Sequence, residues 1–192
     1  VVPKRPLPVL LNAEQARSSV AIGAIQVDGD VTAAQVQLVA IGAYQLQQSL
    51  AAYRRLKERG VRTCVTALIE PGRLRLPRDE LERRFTASKE QIEAYFPKGL
   101  ARVIVTHTRP EPMIGSLRSI DGGPARTVIL GYRNRGGTLD TAGMLFANGC
   151  TWAHVVQEAC ALIGGSIEDY LDAGERAAVE SVGDPSLLAR LS

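Results

Sequence analysis

The sequence is poor in cysteine and in aromatic residues, and it carries no strong excess of charge. Its 192 residues include 3 cysteines, and Phe, Trp and Tyr together make up 5%. Three dispersed cysteines do not make the disulfide framework of a small secreted domain, so we expect a reducing, cytoplasmic environment. The formal net charge is +3, with 23 basic residues mixed among 20 acidic ones. Because nucleic-acid binding normally needs a concentrated basic stripe, we expect no nucleic-acid partner.

Long apolar runs and catalytic signatures are also missing. The longest apolar runs, such as "VQLVAIGA" and "ARVIVTH", are strand-sized, far below the roughly 20 residues of a membrane span, so we expect no membrane partner. The sequence contains no serine nucleophile elbow, HExxH motif, Walker loop or paired carboxylates. It also lacks an initiator methionine and a signal-peptide core. We therefore expect either a processed protein or a piece of a longer one, and not a self-contained enzyme.

Apolar runs and helical repeats alternate along the chain. Short β-branched runs predict four strands, at 36–42, 61–72, 101–108 and 125–132. Helical spacing predicts helices at 12–24, 44–60, 77–99 and 148–165; the first is capped by Asn12 and broken at Gly23. A strand, a helix and a strand within about thirty residues form a βαβ unit with parallel strands. The predicted fold class is an α/β protein with an open, mostly parallel sheet and helices on both faces.

The remaining segments set the expected domain organisation. Three prolines near the N-terminus predict an extended strap. Residues 27–35 read as a polar turn, 109–123 as a loop with one helical turn, and 133–144 as a glycine-rich connection. Two or three short helices are expected after residue 165. We therefore assign residues 1–30 to a linker with a short helix, 31–165 to the α/β domain, and 166–192 to a helical C-terminal tail.

The segment "NGCTWAHVVQEAC" places Cys150 and His154 four residues apart, on one face if the segment is helical. A catalytic dyad, half of a metal site and a packed helix are the alternatives. A metal site needs further ligands, and the chain offers only His107, Cys64 and scattered carboxylates at no motif spacing. A Cys–His nucleophile needs an exposed, electropositive setting. We favour a packed helix in which Cys150 and Cys160 are buried and unreactive, with His154 as a candidate for a contact across an interface.

Candidate binding residues follow the predicted strands. Tyr44 and Gln45 lie just after the single glycine of the first strand-to-helix turn, and they suit either a surface contact or, as we favour, an ordinary turn. The dinucleotide-binding pattern would need three spaced glycines there. Carboxyl ends of parallel strands form the natural ligand edge of an open α/β sheet.

Four more residues follow the third and fourth strands. His107 and Arg109 come after the third, and Arg133 and Arg135 after the fourth. A histidine with arginines could bind an anion, such as a substrate phosphate, or could fix a loop or a subunit contact. Both readings stay open at this point.

Together, these segments resemble a known family. "VQLVAIGAYQLQQSLAAYRRLKERGVRTCVTALIEPGRL" is similar to the C-terminal domain of the transketolase-like thiamine-diphosphate enzymes. Within that family, phosphoketolases resemble the chain most, in "PKRPLPVLLNAEQARSSVAIGA", "VTHTRPEPMIGSL" and "GYRNRGGTLDTAGMLFANGCTWAHVVQEACAL". The resemblance covers residues 3–162 in four segments that occur in the family's order.

Two departures make this chain a divergent relative. Phosphoketolases carry a proline–phenylalanine–acid run where residues 142–144 here are Ala-Gly-Met. They carry arginine–phenylalanine–histidine where residues 152–154 are Trp-Ala-His, so the histidine matches and its neighbours do not.

The resemblance implies an enzyme that cleaves xylulose 5-phosphate, and fructose 6-phosphate in some cases, with inorganic phosphate to give acetyl phosphate and an aldose phosphate. It implies thiamine diphosphate and Mg²⁺ bound by the N-terminal and middle domains, with none bound by this chain. The C-terminal domain would serve assembly of a dimer or larger homo-oligomer and form part of the channel wall. The alternatives are the matching domain of a transketolase or 2-oxoacid dehydrogenase component, and a free-standing assembly or binding module.

Overall fold

The computed structural model describes residues 11–133 and 139–189. Within these ranges, five strands form one sheet in the order β1-β3-β2-β4-β5. Strands β2, β3, β4 and β5 are mutually parallel, and β1 pairs with β3 in the antiparallel direction. The predicted fold class, an open and mostly parallel α/β sheet, is confirmed. The strands are β1 Ala24–Asp28, β2 Val36–Ile41, β3 Thr63–Leu68, β4 Ala101–Thr106 and β5 Thr127–Leu130.

Helices cover both faces of the sheet. The α-helices are α1 Ala13–Ile22, α2 Ala43–Glu58, α3 Glu80–Arg83, α4 Lys89–Tyr95, α5 Pro110–Leu117, α6 Thr141–Ala147, α7 Trp152–Ile163 and α8 Ala173–Val179. Short 3₁₀ helices span Pro71–Leu74, Ile167–Asp169 and Pro185–Leu188. No helix among the described residues is long and apolar enough to cross a membrane.

The three central strands are buried along their whole length, as expected for parallel strands covered on both sides. Alternate side chains of β2 enter two separate cores. Leu38 packs in the first core with α2 and α7, whereas Val39 packs in the second with α5 and α4. Leu171, Ala178 and Leu188 of the C-terminal segment also belong to the first core. The short helices predicted there are therefore packed on the main domain.

The capping residues of α1 are the ones that the sequence predicts. Asn12 and Gln15 form a capping box, each accepting a hydrogen bond from the backbone N–H of the other. Gly23 ends the helix in the left-handed region with φ 77°. Its carbonyl then accepts the backbone N–H groups of Ile69 and Glu70, at 2.8 and 3.0 Å. This glycine therefore ends α1 and fixes it to the chain that leaves β3.

Strand β1 corrects the predicted four-strand sheet. Residues 24–28, which the sequence assigned to the linker and partly to a polar turn, form the antiparallel edge strand. Its register is interrupted by an irregularity between Gln26 and Asp28, and Gly29 follows with φ 74°. Pairing with β3, and not a strong local apolar pattern, makes this segment a strand. The N-terminal strap lies outside the described residues as far as residue 10.

Three helix predictions are also corrected. Segment 110–117 forms eight residues of helix instead of one turn. The connection 133–144 contains the start of α6, whose N-cap Asp140 accepts the backbone N–H of Gly143 at 2.7 Å. Helix α7 begins at Trp152, because Gly149 takes a left-handed φ of 66° and separates it from α6. Cys150 thus lies before the helix, and the expectation that it shares a helical face with His154 is wrong.

Candidate functional site

Strands β2 and β4 lie side by side at the centre of the sheet, and the chain leaves them in opposite directions. After β2, α2 packs on the first face and leads to β3; after β4, α5 packs on the second face and leads to β5. This divergence is a topological switch point, where open α/β sheets form a crevice for ligands at the carboxyl ends of their strands.

The turn after β2 forms one side of this crevice. Gly42 has φ 118° and precedes α2 without a side-chain cap for that helix. A Cβ atom on Gly42 would lie 2.4 Å from Oε1 of Gln45 and 3.1 Å from Nδ1 of His107. Only glycine fits this backbone conformation and this close approach without displacement. The single glycine of the turn is therefore required for Gln45 and His107 to come close together.

His107 forms the other side of the crevice, directly after β4. Both its backbone N–H and its Nδ1 lie within hydrogen-bonding distance of the carbonyl oxygen of Ile41, at 3.2 and 3.0 Å. Because a carbonyl oxygen only accepts, the proton of the neutral ring is on Nδ1 and Nε2 is an acceptor. The end of β2 thus fixes both the tautomer and the orientation of the ring.

A pocket of about 270 Å³ opens between these two turns and α6, and we call it the edge pocket. Its described lining combines apolar and aromatic side chains with a few amides and hydroxyls and one imidazole. It contains no Lys, Arg, Asp or Glu. The residues are Tyr44, Gln45, Thr106, His107, Tyr132, Leu139, Thr141, Met144, Leu145, Asn148 and Cys150.

A second pocket, of about 400 Å³, lies beyond β5 and is lined by Arg133 and His154 among others. His154 Nδ1 lies 2.7 Å from Oγ1 of Thr151, and the Phe146 ring packs edge-on against the imidazole at 6.0 Å. Burial, followed by the charge of Arg133, lowers the pKa of His154 to about 4. The backbone N–H of Arg133 donates to Oδ1 of Asn148 at 2.6 Å. This second site therefore places a neutral imidazole and a guanidinium in the lining of one pocket.

The structure divides the candidate residues that the sequence placed after strands. Tyr44 and His107 line the edge pocket, whereas Arg133 and His154 line the second pocket. Arg109 takes the N-cap position of α5 without a side-chain capping bond, and it lines neither pocket. Arg135 lies outside the described residues.

Several lining residues of the edge pocket were not singled out from the sequence. Among them, Thr141 begins α6, whose start was read as a connection, Asn148 follows that helix, and Tyr132 follows β5. The signal for α6 was the Asp140 cap before "TAGMLFA". The position of Tyr132 after an apolar strand was the signal for that residue.

Cys150 and Cys160 lie in the first core. Burial raises the pKa of Cys150 to about 11 and that of Cys160 to about 12. The Cys150 thiol lies 3.5 Å from the carbonyl of Asn148, and His154 bonds Thr151 instead. An activated nucleophile needs a thiolate stabilised by a neighbouring base or positive group. Cys150 and His154 are therefore not arranged as a catalytic dyad.

The described residues show no ligand cluster of the kind that a metal–diphosphate cofactor needs. Across the described ranges, no group of three or more His, Cys, Asp and Glu side chains is placed to hold a metal ion. Mg²⁺ in such a site would need carboxylate or carbonyl oxygens in near-octahedral positions.

Comparison with known proteins identifies the fold. No protein-family model matches the sequence, and no curated protein matches it. Among solved structures, a transketolase of Pichia stipitis in complex with sedoheptulose 7-phosphate matches 79% of this chain, with a TM-score of 0.54 and 17% identity. Transketolase from Leishmania mexicana matches 80%, with a TM-score of 0.51 and 17% identity. A split-gene transketolase described as an inactive beta4 tetramer matches 73%, with a TM-score of 0.51 and 17% identity.

These matches cover only part of the other proteins. The chain spans 19% of the two complete transketolases and 42% of the split-gene chain. At this identity the likeness concerns the fold alone. The chain has the α/β fold of the transketolase C-terminal domain.

Proposed function

We propose that this chain is the C-terminal domain of a thiamine-diphosphate-dependent enzyme that acts on ketose phosphates, with phosphoketolase as its type. The observation that carries the proposal is the sheet β1-β3-β2-β4-β5, which matches transketolase structures over 79% of the chain. The resemblance of four ordered sequence segments to phosphoketolase favours that reaction over the transketolase reaction. The enzyme would work in the cytoplasm.

The proposed role of this chain is assembly and the formation of part of the substrate channel. Arg109 and Arg133 support it, because neither forms an ion pair with a carboxylate among the described residues. Unpaired guanidinium groups near the carboxyl edge of the sheet suit carboxylates or phosphates from a neighbouring domain or subunit. Tyr44, His107, Arg135 and His154 are the further interface or substrate-phosphate candidates. The cofactor and Mg²⁺ would be held by the N-terminal and middle domains, in a homo-oligomer.

The full-length protein provides the test. Incubated with thiamine diphosphate, Mg²⁺, xylulose 5-phosphate and inorganic phosphate, it should yield acetyl phosphate, glyceraldehyde 3-phosphate and water in equal amounts. Replacing phosphate by an aldose phosphate acceptor tests the alternative, because a transketolase would then form a longer ketose phosphate. Product formation only with the acceptor would replace phosphoketolase by transketolase. Absence of both products would overturn the proposal and favour a 2-oxoacid dehydrogenase component or an assembly module.

A further inference from the structure

A largely buried glutamine reaches the edge pocket with an amide that no described residue bonds. Gln45 is 7% exposed and lines the pocket, and its side chain makes no hydrogen bond with any described residue. Two other buried glutamines behave differently. Gln48 accepts the backbone N–H of Trp152 at 2.7 Å, and Gln37 donates to Oγ1 of Thr66 at 2.8 Å. The Gln45 amide is therefore free to form hydrogen bonds with a molecule that enters the pocket.

From this amide and its surroundings, we propose that the edge pocket binds a small, uncharged heteroaromatic molecule that presents a hydrogen-bond donor next to an acceptor. The Gln45 amide offers one acceptor oxygen and two donor hydrogens, so it pairs with an edge that carries both functions. Nε2 of His107 offers a further acceptor, because Nδ1 donates to the Ile41 carbonyl. A ligand with N–H groups on its ring or amide can satisfy both residues.

The described lining favours an uncharged ligand. No Lys, Arg, Asp or Glu is among the described lining residues, so these residues offer a phosphate or carboxylate no counter-charge. Tyr44, Tyr132 and Met144 instead offer flat or apolar surface to a ring. The volume of about 270 Å³ is just below the range of about 300–1,000 Å³ for drug-sized ligands. It suits a molecule of one or two rings.

The location agrees with this ligand class. The pocket lies at the switch point between β2 and β4, where α/β sheets most often bind small molecules. A side chain at Gly42 would meet both Gln45 and His107, so glycine at this position leaves these two lining residues in place. The inference goes beyond the proposed function, because it places a small-molecule site within this chain and needs neither the cofactor nor the other domains.

Titration of the ¹⁵N-labelled 192-residue chain with nicotinamide, adenine and uracil tests the proposal. At least one of them should shift the backbone amide signals of Gln45, His107 and Thr141, and the side-chain amide signal of Gln45, in a saturable way at about millimolar concentration or below. N,N-dimethylnicotinamide and 1,3-dimethyluracil lack the donor, and inorganic phosphate lacks the ring. These three should leave the signals in place.

Two variants and a matched control connect binding to the side chains. Gln45→Glu keeps the size of the side chain but removes the amide donor, and it should weaken binding at least about tenfold. His107→Asn can keep a bond to the Ile41 carbonyl but loses the Nε2 acceptor, and it should weaken binding as well. Gln47→Glu makes the same change at an exposed position of the same helix and should bind as the wild type does. Binding of none of the three probes, equal binding of the methylated compounds, or wild-type affinity in both site variants would each overturn the proposal.

Discussion

Arg55 on α2 and Glu175 on α8 form a two-pronged ion pair, with Nη1–Oε2 and Nη2–Oε1 distances of 2.6 and 2.8 Å. The same guanidinium lies 4.8 Å from the centroid of the Trp152 ring and donates to the carbonyl oxygen of Tyr170 at 3.2 Å. Both charged side chains are largely buried. One arginine therefore connects α2, α7 and the C-terminal segment.

Removing the carboxylate should loosen the C-terminal segment. Glu175→Ala leaves the largely buried guanidinium of Arg55 without its counter-charge, and also removes the capping bond from the backbone N–H of Asp172. We expect a loss of about 2–4 kcal/mol in the free energy of unfolding, measured by urea denaturation. Glu80→Ala is the matched control, since its pair with Arg83 is exposed and should contribute less than about 1 kcal/mol. Equal effects of the two variants would contradict this role.

The same ion pair predicts a pH dependence. Burial alone would raise the pKa of Glu175, but hydrogen bonds from Arg55 and from the Asp172 backbone outweigh it, and the pKa lies below its ordinary 4.5. A carboxylate with a lowered folded-state pKa stabilises the protein above the unfolded-state value, and this contribution is lost as pH falls through the folded-state value. The difference in unfolding free energy between wild type and Glu175→Gln should thus be constant near neutral pH and shrink below about pH 4.5. A difference independent of pH down to acid unfolding would contradict the linkage.

Much of this fold could be predicted from the sequence, because strands β2, β3, β4 and β5 and helices α2 and α7 carry strong apolar patterns. Strand β1 could not, because its five residues become a strand through pairing with β3. The edge pocket was partly predictable, since Tyr44 and His107 follow parallel strands that end at one edge. The position of Arg133 and His154 in one pocket could not be predicted, because it depends on how α6 and α7 fold back beside β5.

Arg102 also escaped prediction, because it lies within the apolar run of β4. Its side chain is 2% exposed and donates to Oε1 of Gln37 at 2.7 Å, to the carbonyl of Pro97 at 3.0 Å, and to the carbonyl of Ile120. Burial lowers its pKa to about 10. Carbonyl dipoles and the nearby Phe96 ring therefore hold this cation without a carboxylate bonded to it.

Replacing Arg102 should be among the most destabilising changes in the chain. Arg102→Met preserves much of the volume but leaves three buried acceptors unsatisfied, and we expect a loss of about 3–5 kcal/mol. Arg102→Lys keeps the positive charge and its donors, although its ammonium group cannot reach all three acceptors at once. Its loss in the free energy of unfolding should therefore be smaller than that of Arg102→Met. Thermal and urea unfolding measure both, with Arg84→Met as an exposed control. Wild-type stability of Arg102→Met would show that the network is dispensable.

The three cysteines should react slowly in the folded protein. All three are buried, and burial raises the pKa values of Cys64 and Cys150 to about 11, so almost no thiolate exists at neutral pH. Labelling with a chromogenic disulfide reagent at pH 7 should accelerate strongly, by at least about a hundredfold, when urea unfolds the chain. Ser18→Cys adds an exposed thiol on α1 and should react at once. Fast labelling of Cys150 in the folded protein would instead support a catalytic role for Cys150 and His154.

The arginines near the carboxyl edge test the proposed role in assembly. We expect each of four single substitutions in the full-length protein to weaken oligomer assembly or to reduce acetyl phosphate production. They are His107→Ala, Arg109→Ala, Arg133→Ala and Arg135→Ala. Removing a charged side chain whose partner is buried across an interface typically weakens association by about 2–5 kcal/mol. This loss raises the dissociation constant about thirtyfold or more. Sedimentation measures dissociation, and a coupled assay measures the product. Arg84→Ala provides the control, because Arg84 is exposed on the segment after α3 and lines neither pocket. If all four edge variants match both the wild type and Arg84→Ala, the edge is ordinary solvent-facing surface. A loss of product formation with unchanged assembly would instead place the affected residue beside the substrate path, because solvent exposure alone gives neither effect.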